Sequence, residues 1–312
     1  MAEIADVVVA GGGVIGTAIA WRAATAGLDV VLVDPEQGDA ASLVAAGMLA
    51  PVSEALFGEG ALLRLNLLAV RRFGSFAAEL EEATGHRVGL RREGTLAVAY
   101  DPGDYAALIR LTAFRRSAGL DAEELDSRAC RQLEPFLTPD VHGGVLFPSD
   151  WSVDSRRYAA ALGDAARSAK VRFMRDRVLE VRIRDGRARG VRLADGELVV
   201  GATQEERGPD QTVTAGAVHD LLHDAMSVLP VTSELILAET CAGLRPGTPD
   251  NGPVVGRCGP DGLLFATGHY RNGILMSPVT ADAAVALLSG QAPAPEWEPF
   301  TPQRFTGQDG SR

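Results

Sequence analysis

A run of glycines near the amino terminus stands in an order that suits phosphate chemistry. Val7-Val8-Val9-Ala10 leads into Gly11-Gly12-Gly13-Val14-Ile15-Gly16, and a helix-like apolar stretch from Thr17 to Ala26 follows. The G-x-G-x-x-G spacing between a strand and a helix is the pattern that cradles a dinucleotide pyrophosphate. Gly11 permits the tight turn, Gly13 leaves room for the pyrophosphate at the backbone, and Gly16 lets the helix pack closely on the strand. The amino terminus of the helix then faces the phosphates with its partial positive charge. Asp34 stands eighteen residues beyond Gly16, at the end of a second apolar run from Val30 to Val33. There a carboxylate can accept hydrogen bonds from a ribose 2′-hydroxyl, whereas the 2′-phosphate of NADP would meet its negative charge. The fingerprint alone does not separate FAD from NAD.

Such groups act only when a scaffold holds them, and the flanking residues supply one. Strand, glycine turn, helix and second strand open a doubly wound α/β sheet, with Gly27 closing the helix. The stretch from Ala41 to Pro51 is small, weakly polar and glycine-containing. It suits a backbone lying against a flat ring system, an ordinary buried connection being the alternative. From Val171 to Val200 the chain alternates, with turn signals at Asp185-Gly186 and Asp195-Gly196, which predicts a small antiparallel meander. Near the carboxyl end, Leu263-Leu264-Phe265-Ala266 reads as a strand, and Gly268 and Gly273 bend the backbone. Ser277-Pro278 then reads as an N-cap with proline at the first helical position. A helix from about Pro278 to Ser289, stopping at Gly290, is expected. Its positive end would face the ring system.

Composition narrows the field. The 312 residues, 46% hydrophobic and 23% charged, can bury one large core or two modest ones, which excludes disorder and collagen-like repeats. A net charge of −11 argues against a partner of nucleic acid or anionic membrane and leaves small molecules. Lys170 is the one lysine among 30 basic residues, which argues against a pyridoxal Schiff base or a Walker-type loop. Cys130, Cys241 and Cys258 are odd in number, widely spaced and without a C-x-x-C pair. They read as structural thiols of a cytoplasmic protein rather than a disulfide frame or zinc site. Glu3, Asp6 and the glycines between Val7 and Trp21 suit neither a signal peptide nor a membrane helix. His219 and His223 lie four apart on a predicted helix without a third ligand, so a solvated face is expected there and no metal. No G-x-S-x-G elbow is present.

Three strings carry a more specific likeness. Gly11 to Gly16 followed by Ala45-Ala46-Gly47-Met48-Leu49-Ala50-Pro51 resembles glycine oxidase of the thiamine-biosynthetic type, within the D-amino-acid oxidase group of FAD enzymes. Gly243-Leu244-Arg245-Pro246-Gly247-Thr248-Pro249-Asp250 and Ala266-Thr267-Gly268-His269-Tyr270-Arg271-Asn272-Gly273-Ile274-Leu275 are the second and third matches, in family order. The resemblance implies an α/β fold with an FAD-binding Rossmann-like domain and a smaller antiparallel-sheet substrate domain. It implies FAD contacts at Val14, Ile15, Asp34, Ala41, Ser42, Ala46, Gly47 and Met48, beside those of Gly11, Gly13 and Gly16. Val178 resembles the residue whose backbone meets the adenine. His269, Tyr270, Arg271, Asn272, Gly273, Ile274 and Leu275 resemble the segment that passes the flavin ring.

Arg245 and Arg271 resemble the two arginines that face the substrate, Arg245 as a bidentate carboxylate clamp. A surface salt bridge is the alternative fate for each in so arginine-rich a chain. Tyr270 lines the pocket beside Arg271 or serves packing. The implied activity is oxidation of glycine, sarcosine or small D-amino acids by hydride transfer to FAD. Dioxygen then yields hydrogen peroxide, and the imine of glycine feeds thiazole synthesis. Family members usually form homotetramers.

The chain departs from the family at one place. There, the counterpart of Asp195 to Val200 is followed by a strand ending in an alanine-glycine pair and by the roof strands of the substrate domain, before a Gly-Ala-Thr motif. Here Val200 runs directly into Gly201-Ala202-Thr203, and Gln204 stands where an apolar pocket residue is expected. With strands of about five to six residues and loops of about four to six, the missing elements amount to roughly fifty to seventy residues. The loss would take a core strand and a pocket tyrosine. The expected layout is an FAD-binding domain over 1–85, 147–200 and 243–312, and a shortened substrate domain over 86–146 and 201–242. Arg87-Val88-Gly89-Leu90 and Gly94 to Ala99 are the latter's expected strands. Two readings follow: an FAD-dependent glycine or D-amino-acid oxidase, or a catalytically silent descendant that keeps a nucleotide pocket or a partial fold.

Overall fold

A computed structural model describes residues 5–35, 41–194, 213–237, 239–240, 242–243 and 245–305. The expectations placed on Asp195-Gly196, Val200 to Gln204, Cys241 and Leu244 lie outside these residues.

Strand β1 (Val7–Ala10), helix α1 (Val14–Thr25) and strand β2 (Val30–Val33) form the expected opening. The strands are parallel, with Val7 opposite Val30 and Ala10 opposite Val33. Helix α1 begins at Val14 rather than Thr17, so the glycine turn is tighter than its composition suggested. Strand β2 is buried along its whole length, whereas β1 alternates and leaves Val8 39% exposed. Among the described residues β1 pairs with β2 alone.

A short helix α2 (Ala41–Val44) and strand β3 (Met48–Leu49) lead into helix α3 (Gly60–Thr84). Helix α3 buries Leu62, Leu65, Ala69, Phe73, Phe76 and Leu80, a stripe at helical spacing, and ends at Gly85 in the left-handed conformation. The small sheet follows: strand β4 (Thr95–Ala99), helix α4 (Pro102–Ser117), strand β5 (Glu123–Asp126), helix α5 (Ser127–Leu133) and strand β6 (Gly143–Phe147). It is antiparallel in the order β4-β6-β5. Asp101 caps α4 by accepting from the N–H groups of Gly103 and Asp104, with Pro102 in the first turn.

The expected strand at Arg87–Leu90 is not formed. Gly89 turns left-handed there, and Val88 is buried in the main core, so the alternation of apolar residues reflects burial of a connection rather than pairing.

Strand β7 (Trp151–Ser152) pairs with β3, then helix α6 (Ser155–Ser168) leads to strand β8 (Arg172–Met174), hairpin strands β9 (Arg177–Arg184) and β10 (Arg187–Ala194), and helix α7 (Ala215–Val228). Strand β8 corrects the expected meander: it is the parallel third strand beside β2, with Leu32 opposite Phe173. The hairpin itself forms, with Asp185 and Gly186 both at positive φ, the geometry that matches strand twist.

Strands β11 (Val254–Arg257) and β12 (Leu264–Thr267) and helix α8 (Gly273–Leu288) complete the fold. Helix α8 starts at Gly273, not Pro278. Pro278 lacks the N–H that would reach the Ile274 carbonyl, and the Ser277 hydroxyl donates to that carbonyl instead at 2.8 Å. The serine that reads as a cap is therefore a patch inside the helix. The buried Tyr158 hydroxyl donates to Ser277 Oγ at 2.7 Å, and burial keeps its phenol neutral by raising its pKa. Helices α1, α3, α6 and α8 share the main core, with Trp21 edge-on to Phe76 at 5.2 Å. A smaller core of Val52, Ala55, Leu120, Val145 and Phe147 lies at the antiparallel sheet.

Candidate cofactor and substrate site

The β1–α1 turn places Gly11, Gly13, Val14, Ile15 and Gly16 together at the carboxyl end of the parallel strands. A Cβ on Gly16 would fall on the Gly11 carbonyl oxygen, so only glycine allows this approach of helix to turn. Gly12, which the spacing argument passed over, matters as much. A Cβ there would meet the Asp34 Cβ at 2.9 Å, and its N–H donates to Asp34 Oδ2 at 2.5 Å. Gly13 leaves the start of α1 without a side-chain cap, so no side chain competes with a phosphate for its first amides. These residues fit the dinucleotide portion of FAD.

The ring-side segment is held from behind. Val153 N–H donates to the Gly47 carbonyl at 2.8 Å, and Ser155 Oγ donates to the Ala45 carbonyl at 2.7 Å. Ala41 and Ser42 open α2, against which Gly243 packs through Val44. Gly47 is buried, while Ala46 and Met48 beside it are exposed. Val178 is half-buried on β9, opposite Leu193.

His269, Tyr270, Arg271 and Asn272 form a tight turn before α8, with Tyr270 in the left-handed region at φ 45°. Gly273, Ile274 and Leu275 are the first residues of α8, which follows directly on this turn and has no side-chain cap at its positive end. His269 is 2% exposed, and burial pushes its pKa down to about 3, so it is a neutral hydrogen-bond partner of Thr280 at 2.9 Å. The Tyr270 N–H donates to the Pro246 carbonyl at 2.9 Å, tying the Arg245 segment to this turn. Arg245 itself is exposed.

Arg271 and Tyr270 line a cavity of about 140 Å³ between this turn and the start of α3, with Glu54 and Glu59 on its other side. Arg271 Nη1 lies 3.4 Å from Glu54 Oε2. Its guanidinium is held charged, first by a hydrogen bond to the Tyr270 side chain and then by Glu54. Arg245 does not line this cavity.

Glu54 is placed by residues that no spacing revealed. Asp150, fully buried, accepts from the N–H groups of Val52 at 2.9 Å and Ser53 at 3.0 Å. Arg115 donates to the Ser53 carbonyl and lies over the Phe147 ring at 4.9 Å. Burial raises the Asp150 carboxyl and lowers the Arg115 guanidinium, each toward its neutral form, and their mutual attraction opposes both shifts.

The FAD dependent oxidoreductase family (DAO) matches residues 6–197 and 191–287. The chain belongs to this family. Its cofactor is accordingly FAD. Among relatives, the bifunctional protein ThiO/ThiG of Synechocystis sp. is 28% identical over 370 residues, covering 98% of this chain and 55% of that protein. The chain thus spans about half the length of such bifunctional relatives. Glycine oxidase of Geobacillus kaustophilus is 28% identical over 372 residues, 98% of each chain. The crystal structure of glycine oxidase from that organism superposes with a TM-score of 0.84 at 27% identity, over 95% of this chain and 98% of that one. L-proline dehydrogenase from P. horikoshii shares the fold at a TM-score of 0.79 and 18% identity.

Alignments of 370 and 372 positions exceed the 312 residues of this chain, so these DAO relatives carry positions that it lacks. Residues 191–197 answer to the DAO family twice, at the end of the first match and at the start of the second, which puts the joint at the end of β10. Among the described residues no helix is long and apolar enough to cross a membrane, and no group of three or more His, Cys, Asp or Glu side chains suits a metal ion.

Proposed function

We propose that the protein is an FAD-dependent oxidase of small amino acids, with glycine the first candidate and sarcosine and small D-amino acids as further substrates. The carrying observation is Arg271 lining a small cavity of mixed polar and apolar walls directly before the start of α8, which has no side-chain cap. Bound FAD would supply the hydride acceptor and, through reoxidation by dioxygen, hydrogen peroxide. The chain's own residues have the task of positioning, which this chemistry chiefly requires. Arg245 is assigned the bidentate grip on the substrate carboxylate, with Arg271 the second cation facing it and Tyr270 holding Arg271 in place. The neutral amine loses a hydride from its α carbon, and water hydrolyses the resulting imine to glyoxylate and ammonia. Supply of the imine to thiazole synthesis is part of the same proposal. So are the two-domain division and a homotetramer.

Further support comes from the relatives named glycine oxidase. A second reading, a silent flavoprotein, is favoured by one observation: α7 buries none of its residues, and Ile236 beyond it is 92% exposed. The visible spectrum of the purified protein, before and after anaerobic glycine, separates the two. Flavin bands that bleach support the oxidase, bands that stay oxidised support the silent binder, and a colourless protein that takes up no added FAD overturns both.

A further inference from the structure

Two of the five histidines in 312 residues, His219 and His223, stand one turn apart on α7. Helix α7 buries none of its residues, so neither imidazole answers to packing. On a helix, positions i and i+4 share a face with their Cβ atoms about 5–6 Å apart. The two rings follow that geometry, their centroids 6.0 Å apart and their planes 8° from parallel. Both side chains therefore project to the same side.

The spacing by itself offers two ligands, and the structure adds the group that prepares one of them. Asp220 Oδ1 accepts a hydrogen bond from His219 Nδ1 at 3.1 Å. An ionised carboxylate has no proton to give, so Nδ1 carries the hydrogen and Nε2 keeps its lone pair. A carboxylate behind an imidazole is the arrangement that holds ligating histidines in the metal-binding tautomer and makes them stronger donors. Asp220 and Asp224, each directly after a histidine, add negative charge that favours a dication. The His219 and Asp220 side chains are 76% and 80% exposed, and His223 is exposed too, so the rings can turn toward one ion at nitrogen–metal distances of about 2.0–2.1 Å. The expectation of no metal rested on the missing third ligand, which a closed site needs and an open one does not.

We infer that His219 and His223 form an open two-imidazole site for a divalent first-row metal ion, copper(II) ahead of nickel(II) and zinc(II). Imidazole suits all three, and the order is that of their intrinsic affinity for nitrogen ligands. Water fills the remaining coordination positions, so the ion is exchangeable. Because the ion spans one helical turn, it binds α7 only as a helix and supplies an ordering that burial does not. None of these residues belongs to the cofactor or substrate site, and the assignment stands apart from the oxidase reading.

The test is titration of the purified full-length protein with copper(II), followed by electron paramagnetic resonance and by amide hydrogen exchange. The first equivalent should show coupling to two imidazole nitrogens and should slow exchange across residues 215–228. His223→Ala should weaken binding by at least about tenfold, the advantage of a second ligand held in place by the first, and should abolish the slowing. Adding Ala215→His to His223→Ala sets a histidine four positions before His219 and should restore both readouts. His86 is the control: it is exposed and lies 3.9 Å from Asp164, yet has no histidine one turn away. His86→Ala should bind copper as the parent does. Equal affinity of the parent and His223→Ala overturns the site, as does failure of Ala215→His to restore it. A loss in His86→Ala as large as in His223→Ala overturns it too, since the ion would then be sampling single imidazoles.

Discussion

Helices α1 and α7 are of similar length and composition of apolar residues, yet they live in different surroundings. Helix α1 buries seven of its twelve residues, while α7 buries none of its fourteen. Helix α7 nevertheless carries an apolar stripe, Val218, Leu221, Leu222 and Ala225, at the spacing of a core-facing helix. Leu221 is 70% exposed, and beyond the helix Leu235 and Leu237 are 66% and 59% exposed. Its end is anchored, where Val228 and Leu229 pack on Cys130, Leu137 and Val141. The contrast teaches that the half carrying the glycine turn closes on its own contacts, whereas the half beside the 191–197 joint keeps the pattern of a buried helix without the burial. Relatives that need more aligned positions than this chain contains carry the difference in their sequences.

The comparison can be broken at several points. The largest effect is expected from Gly12→Val, whose side chain collides with Asp34 and fills the nucleotide turn. FAD should be lost on desalting, and flavin absorbance retained at the parent level would show that this half does not hold the cofactor as argued. Next is Ser277→Ala, which strands the Ile274 carbonyl and the Tyr158 hydroxyl inside the main core. A loss of about 1–3 kcal/mol in urea unfolding is expected, and a change under half a unit would mean that the core adapts.

A smaller effect comes from pH. His269 is neutral in the fold with its pKa pushed down to about 3 from an ordinary 6.5. The unfolded chain binds the proton first as pH falls, so the contribution of this residue is fully present above 6.5 and is lost toward 3. The slope approaches about 1.4 kcal/mol per pH unit at most, and His269→Gln should flatten the fall in urea midpoint between pH 6.5 and 5. A variant with the parent's pH profile would show that the imidazole is not the sensor. The smallest effect is expected on the exposed side: Ile236→Ser should change stability by less than about 0.5 kcal/mol. A substantial drop in its melting temperature would reveal burial there and dissolve the contrast.

What could be read from the sequence followed from locality. Strand, glycine turn, helix and terminal acid lie within 34 residues, and each is recognisable from its neighbours alone. The end of α8 at Gly290 was legible for the same reason. Its start was not, because Ser277-Pro278 has the same spelling as a capped helix start and as a patched proline inside one. Strand β8 has three residues, too few for a pattern, and its place is set by the open side of β2. Arg87–Leu90 alternates without any strand to pair with. Asp150 reaches Val52 across 98 positions, so it leaves no signal in one sequence.

Among the described residues, strand β1 delivers the glycine turn while hydrogen-bonded along one side, with Val8 39% exposed. A bare strand edge accepts any extended chain that meets it. Self-association therefore tests whether this side of β1 is covered in the whole chain: a light-scattering mass that grows with protein concentration would show it accessible, and one independent of concentration would show it covered.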